Sequence, residues 1–248
     1  MNAMTLLRFD IKETSQICLE HNTPMSNYRG HIFCKQCDNA VREQGLIDGK
    51  KELAKMIYEK HFGGAKIPAR HAKSGFQDYV VTNNGQKNAK HQCMAFTRDF
   101  KQGIHRNLIM VGRTGTGKTH LACAVARNVL ETRKYARYVT SEDMASEIAN
   151  AWSKADDNEA TAVHRFTEYD LLILDEYGLH DRHENRLQLV HKVLYARYDA
   201  GKPTMLISNM TAAELQKDLG DRLWSRFQHD GLGVVECNWA DQRAGGGV

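Results

Sequence analysis

The stretch Gly112-Arg113-Thr114-Gly115-Thr116-Gly117-Lys118-Thr119 narrows the possible folds more than any other part of this chain. It is a complete G-x-x-x-x-G-K-[ST] pattern, and its flanks are of the kind the pattern needs. The run Asn107-Leu108-Ile109-Met110-Val111 before it reads as a buried strand. The run His120-Leu121-Ala122-Cys123-Ala124-Val125-Ala126 after it reads as the first turns of a helix. In a strand–loop–helix setting the glycines let successive backbone N–H groups turn inward around a phosphate chain, at the positive end of a helix. Lys118 can then reach the β and γ oxygens, and the Thr119 hydroxyl can hold Mg²⁺. The pattern predicts a nucleoside triphosphate site.

A second acidic signal follows. Asp170-Leu171-Leu172-Ile173-Leu174-Asp175-Glu176 carries four consecutive apolar residues, the mark of a strand buried on both faces. Its acidic pair falls at the C-terminal end, where ligands bind in open α/β sheets. Asp175 is placed for the Mg²⁺ shell and Glu176 for polarising an attacking water. Further strands are expected at Ala136–Thr140, Pro203–Asn209 and Gly233–Trp239. Helices are expected to open at Ser141, over 160–168, over Arg186–Ala200 and from the capping box Thr211-Ala212-Ala213-Glu214. Asn209, at a strand end, either bonds the γ-phosphate and its water or caps a turn. Arg222 and Arg226 stand four apart on one helix face. The alternation predicts an α/β fold, a parallel sheet with helices on both faces and no separate lid domain.

The N-terminal segment is of a different kind. Cys18-x-x-His21 and Cys34-x-x-Cys37 are two chelating pairs separated by a polar, turn-rich stretch. Such spacing predicts a closed, structural Cys3His zinc site. His31 is an alternative nitrogen ligand with a poorer spacing. Residues up to about 45 hold few large apolar side chains, and so small a segment needs a metal to bury a core. A charged amphipathic helix over 41–62, with Leu46, Leu53, Met56 and Ile57 on one face, is expected to end at Gly63-Gly64. The basic stretch 65–75 reads as a linker. The expected organisation is a zinc module over 1–45, a helix and linker over 46–70 and an ATPase domain over 71–248.

Composition adds bounds. The 248 residues carry 34 basic and 30 acidic side chains, a formal net charge of +4, which permits a nucleic-acid partner without requiring one. No apolar run is long enough for a membrane span, and the N-terminus lacks a secretory pattern, so a cytoplasmic protein is expected. Cys93, Cys123 and Cys237 are scattered and read as buried small apolar residues. Arg127, Arg133, Lys134 and Arg137, interleaved with Tyr135 and Tyr138, offer either a single-strand contact or a merely solvated face, with Tyr138 in the core.

The order of phosphate loop, Leu-Leu-Ile-Leu-Asp-Glu, Ile-Ser-Asn and Arg-Leu-Trp-Ser-Arg-Phe resembles AAA+ ATPases of the DnaC/IstB family, over roughly residues 70–245. Phe76-Gln77-Asp78-Tyr79 and Asn238-Trp239 with Arg243 resemble its two ends. The resemblance implies an AAA+ core that assembles side by side, with ATP at the subunit interface. It implies ATP and Mg²⁺ contacts from Lys118, Thr119 and Asp175, and Glu176 as catalytic base. It further implies Asn209 as phosphate sensor, Arg226 (with Arg222 second) as a finger reaching a neighbour's nucleotide, and Arg243 as a second sensor. The zinc pairs depart from the helical N-terminus of many such proteins and are more like those of DnaI-type loaders. Two functions follow as expectations. One is loading of a DnaB-type hexameric replicative helicase onto single-stranded DNA; the other is an IstB-like transposition helper binding duplex DNA and a transposase.

Overall fold

The computed structural model describes residues 11–154, 156–179 and 184–242. The chain falls into two compact units, residues 1–56 and 57–248.

In the first unit, β1 (Lys12–Ile17), β2 (Pro24–Tyr28) and β3 (His31–Phe33) form an antiparallel meander. The segment expected as a bare connector between the chelating pairs is thus a hairpin. Its turn, Arg29-Gly30, has positive φ at both residues (50° and 90°), the type I′ geometry that matches strand twist. The Asn27 side chain accepts from the Gly30 N–H at 2.9 Å. Helix α1 (Lys35–Ala65) begins at the second chelating pair, earlier than expected, and runs past Gly63-Gly64 to a left-handed Lys66. Within the second unit, Tyr58, Phe62 and Ala65 pack on the main core. That tertiary packing overrides the weak helix propensity of the two glycines.

The second unit is built on a five-stranded sheet of order β5-β6-β7-β4-β8, every pairing parallel. Its strands are β4 (Asn107–Gly112), β5 (Ala136–Thr140), β6 (Leu171–Tyr177), β7 (Thr204–Ser208) and β8 (Leu232–Cys237). The consecutive apolar residues divide between two layers, as the pleat requires. Leu108, Met110, Leu171, Ile173, Met205 and Ile207 face one core, shared with α2 (Asn84–Lys101) and α3 (Lys118–Leu130). Ile109, Val111, Leu172, Leu174 and Leu206 face the other, shared with α4 (Ser141–Ala149), α6 (Glu184–Asp199) and α7 (Ala212–His229). The short α5 (Glu159–Arg165) lies on that second side through Ala162. No lid domain follows β8 among the described residues.

Helix α2 has no counterpart among the expected elements. Its signals are an Asn83–Gln86 capping box and buried residues Gln86, Ala89, Cys93, Phe96, Thr97 and Phe100 at helical spacing. The basic cluster is also dispersed. Arg127 donates to the Ser74 carbonyl at 3.0 Å, and Arg137 pairs with Glu147 at 2.9 Å. Two of the four cations read as either a single-strand contact or a solvated face are therefore held by the protein itself.

Arg197 is fully buried near the N-terminal edge of the sheet. It donates to the carbonyls of Phe166 (2.5 Å), Tyr169 (2.9 Å) and Pro203 (2.6 Å) and to Thr204 Oγ1 (3.1 Å). Burial pushes the guanidinium down to about 9. Its donors satisfy backbone groups at the entrances of β6 and β7, and the Pro203 carbonyl also accepts from the Leu172 N–H at 3.4 Å. Arg197→Leu takes the donor from the buried Phe166 and Tyr169 carbonyls and is expected to cost about 3 kcal/mol or more. Urea denaturation of the two proteins measures it.

Candidate functional site

The loop between β4 and α3 is shaped by its glycines and clamped from outside. Gly117 has φ +86°, and a Cβ there would stand 2.7 Å from the Tyr79 ring. Tyr79 Oη and Trp239 Nε1 both donate to the Thr116 carbonyl, at 3.2 and 3.0 Å. The Gln242 N–H donates to the Gly115 carbonyl at 2.9 Å. Burial raises the Tyr79 phenol well above its ordinary value, so the hydroxyl stays a donor. Lys118 is buried, its Nζ donating to the Gly112 and Arg113 carbonyls at 2.7 Å each.

At the next position Thr119 Oγ1 donates to Asp175 Oδ2 at 2.8 Å. The same carboxylate oxygen accepts from Tyr138 Oη at 2.8 Å, and Asp175 Oδ1 accepts from the Glu176 N–H at 2.7 Å. Burial first, and the Asp175 charge second, hold the Tyr138 phenol protonated. Tyr138 is therefore core, as expected, and also a donor in the site, which its position on a strand did not reveal. The β6–β7 register slips between Leu174 and Tyr177, and Glu176 takes a left-handed φ of 58°. This bulge turns the exposed Glu176 away from the buried Asp175.

A cleft of about 370 Å³ joins these parts. Thr114 to Thr119, Asp175, Glu176 and Asn209 all line it, with Ser208 and Leu179 beside them. Gly112 and Arg113 contribute the carbonyls that hold Lys118. Arg70, His71 and Gln242 also line the cleft. Arg70 and His71, expected in a linker, lie in a short 3-10 turn, Ala69–His71, whose signal is no more than Pro68 before it.

Arg222 and Arg226 are elsewhere. Both lie on α7, Arg222 exposed and Arg226 half-buried. The Arg226 guanidinium stacks over Tyr195 (4.8 Å) and Tyr198 (5.4 Å). It lines a small cavity with Asn107 and Thr204, the first residues of β4 and β7. Arg226 thus belongs to the sheet edge opposite the phosphate loop. Arg243 lies outside the described residues.

In the first unit, Cys18, His21, Cys34 and Cys37 offer ligand atoms within 4.8 Å of one another. Cys18 Sγ is 3.7 Å from His21 Nδ1 and 3.8 Å from Cys37 Sγ. His21 Nδ1 is 3.8 Å from Cys34 Sγ and 3.3 Å from Cys37 Sγ. Tetrahedral zinc bonds of about 2.3 Å to sulfur and 2.0 Å to nitrogen place ligands roughly 3.5–3.8 Å apart. The set fits zinc, and His31, in β3, is outside it. The backbone N–H of Cys37 brings the Cys34 thiol down to about 6, and the His21 side chain lowers Cys18. Both shifts favour the thiolate that a metal needs, whereas burial pushes the Cys37 thiol up to about 12.

A glycine-lined phosphate loop, joined by a hydroxyl to an acidic strand end on a parallel sheet, defines a P-loop nucleotide-binding protein. The chain belongs to the family of IstB-like ATP binding proteins, whose pattern matches residues 52–230. It is an AAA+ ATPase of that family. It is similar to the replicative helicase loader DnaC of Escherichia coli K12, 26% identical over 206 residues, 82% of this chain and 84% of the relative. The crystal structure of the DnaC helicase loader superposes with a TM-score of 0.59 at 21% identity, covering 67% of this chain and 99% of that one. The crystal structure of DnaI superposes with a TM-score of 0.57 at 18% identity, covering 72% and 95%. Among the described residues no helix is long and apolar enough to cross a membrane.

Gly117→Ala combines left-handed strain with a clash against Tyr79. It is expected to weaken nucleotide binding at least about tenfold, the equivalent of roughly 1.4 kcal/mol of misfit. Titration with a fluorescent ATP analogue checks this.

Proposed function

We propose that this protein binds a DnaB-type replicative helicase and loads it onto single-stranded DNA under ATP control. The observation that carries the reading is the likeness to DnaC loaders across 82% of the chain, together with an intact Thr119–Asp175–Glu176 arrangement. Lys118 would neutralise the β and γ oxygens, and Thr119 and Asp175 would hold Mg²⁺, which would polarise the phosphoryl group. Glu176 takes the proton of the attacking water, and Asn209 orients that water or the γ-phosphate. Arg226, with Arg222 second, supplies charge to a neighbour's nucleotide, because its own cleft lies at the far sheet edge. ATP therefore favours side-by-side assembly. Zinc on Cys18, His21, Cys34 and Cys37 supplies a structural crosslink to a small unit. By its position that unit is the helicase-gripping part.

The family match favours a second reading, an IstB-like helper that binds duplex DNA and a transposase. Pull-down with the cell's replicative helicase, in ATP and in ADP and sized by native mass, separates the two. A helicase ring carrying several copies of this chain is expected. Retention of duplex DNA with no helicase in either nucleotide would sink the loader reading.

The trans role makes its own forecast. Lys118→Ala and Arg226→Ala are each expected to lack ATPase activity alone, whereas an equal mixture recovers part of it. A mixture no more active than either variant overturns the shared site. For the metal, elemental analysis is expected to find stoichiometric zinc, lost in Cys37→Ser while ATP hydrolysis and the main thermal transition persist. Because ligand thiols must shed protons, zinc should be released as pH falls.

A further inference from the structure

Tyr177 follows Glu176 and is only 1% exposed, yet it lines no part of the phosphate cleft. Its hydroxyl donates to Asp218 Oδ2 at 2.8 Å and lies 2.8 Å from His191 Nε2. With the single hydroxyl proton given to Asp218, His191 Nε2 is the donor to the tyrosine oxygen. The rings of Tyr177 and His191 stack at 6.2 Å with 11° between their planes. The Tyr177 backbone is tied as well, its carbonyl accepting from Ser208 Oγ at 2.8 Å. Ser208 Oγ in turn accepts from the Met210 N–H at 3.2 Å. These anchors hold the C-terminal end of the stretch in which the β6–β7 register slips and Glu176 takes positive φ.

A left-handed glutamate persists only where its surroundings over-determine it. The residue that does so here reaches two helices, α6 through His191 and α7 through Asp218. Asp218 stands just before Gly220, whose φ of 72° breaks α7. Beyond that kink lie Arg222 and Arg226.

We propose that Tyr177, held by Asp218 and His191, is a positioning residue for ATP hydrolysis. It fixes the bulge that presents Glu176 and ties that bulge to the helix bearing Arg226. This rests on Glu176 acting as the base.

The test compares full-length Tyr177→Phe, Asp218→Asn, Asp218→Ala and Glu176→Gln for steady-state hydrolysis, ATP affinity and melting temperature. Losing one hydrogen bond to a charged partner should lower kcat of Tyr177→Phe about tenfold. ATP affinity should stay within about twofold, since no nucleotide contact is touched. Asp218→Asn keeps an acceptor and should retain much more activity than Asp218→Ala. Wild-type kcat in Tyr177→Phe, or a loss seen in ATP affinity instead, overturns the proposal. If Tyr177→Phe does not fold, the Asp218 pair decides, and equal kcat for Asn and Ala overturns it. Full activity of Glu176→Gln would sink the base assignment. An inactive Glu176→Gln beside an unaffected Tyr177→Phe would sink only the positioning role.

Discussion

The hydrogen bond from Thr119 to Asp175 joins the two halves of the nucleotide site, and the strand order makes it possible. From β4 the chain crosses to β5 at the far side of the sheet, then fills inward through β6 and β7 before β8 takes the other flank of β4. The crossover from β4 therefore runs toward β5 and the crossover from β7 toward β8, in opposite directions across the sheet. That is a topological switch point, the place where an open parallel sheet leaves a crevice. Thr119, on the first turn of α3, faces a carboxylate on β6, with β7 between their strands. Asp175 is 3% exposed and accepts from Thr119, Tyr138 and the Glu176 N–H. A buried carboxylate with so many donors is an oriented acceptor, ready to share an oxygen with a cation.

The two edges of the sheet handle buried charge in opposite ways. At the C-terminal edge Lys118 and Asp175 are buried in a cleft open to a ligand, so their charges remain usable. At the N-terminal edge Arg197 is consumed by carbonyl groups and a threonine hydroxyl, and its burial lowers its basicity. Arg226 differs from both. It rests on two tyrosine rings, a cation–π seat that restricts the guanidinium without neutralising it. The first arrangement suits chemistry, the second stability, and the third presentation of a charge to something outside the chain.

Most of the sheet was legible because a strand buried on both faces must be apolar at successive residues. Leu171 to Leu174 and Met205 to Ile207 carried that mark. The phosphate loop and the Asp175-Glu176 pair were legible because their chemistry fixes residue type and spacing together. The clustering of Cys18, His21, Cys34 and Cys37 was legible for the same reason. What escaped depends on contacts distant in sequence. Tyr79, Trp239 and Gln242 meet the phosphate loop from both ends of the domain, and nothing local marks that role. Tyr138 and Tyr177 look like ordinary strand aromatics until their hydroxyl partners are known. Arg70 and His71 sat in a basic stretch without periodicity. The helix Asn84–Lys101 is a different kind of miss, since its capping box and apolar spacing stood in the sequence unread.

The aromatic hydroxyls show a consistent division of labour around the acidic strand end. Tyr138 stands on β5, paired beside β6, and donates to the carboxylate of Asp175 itself. Tyr177 stands on β6 and donates away from the cleft, to Asp218 on α7. One fixes the side chain that would share a cation, and the other fixes the backbone that aims the next carboxylate. Both are phenols rather than shorter hydroxyls because each must reach a carboxylate that its own backbone does not face, Tyr138 one two residues beyond its register partner Ile173 on β6 and Tyr177 one out on α7, while its ring fills core volume. Neither could be replaced by serine without opening a cavity as well as losing a donor. The strain at Glu176 is thus supported by residues that also complete the core, so that the packing of this domain and the aim of its carboxylates are one problem with one solution.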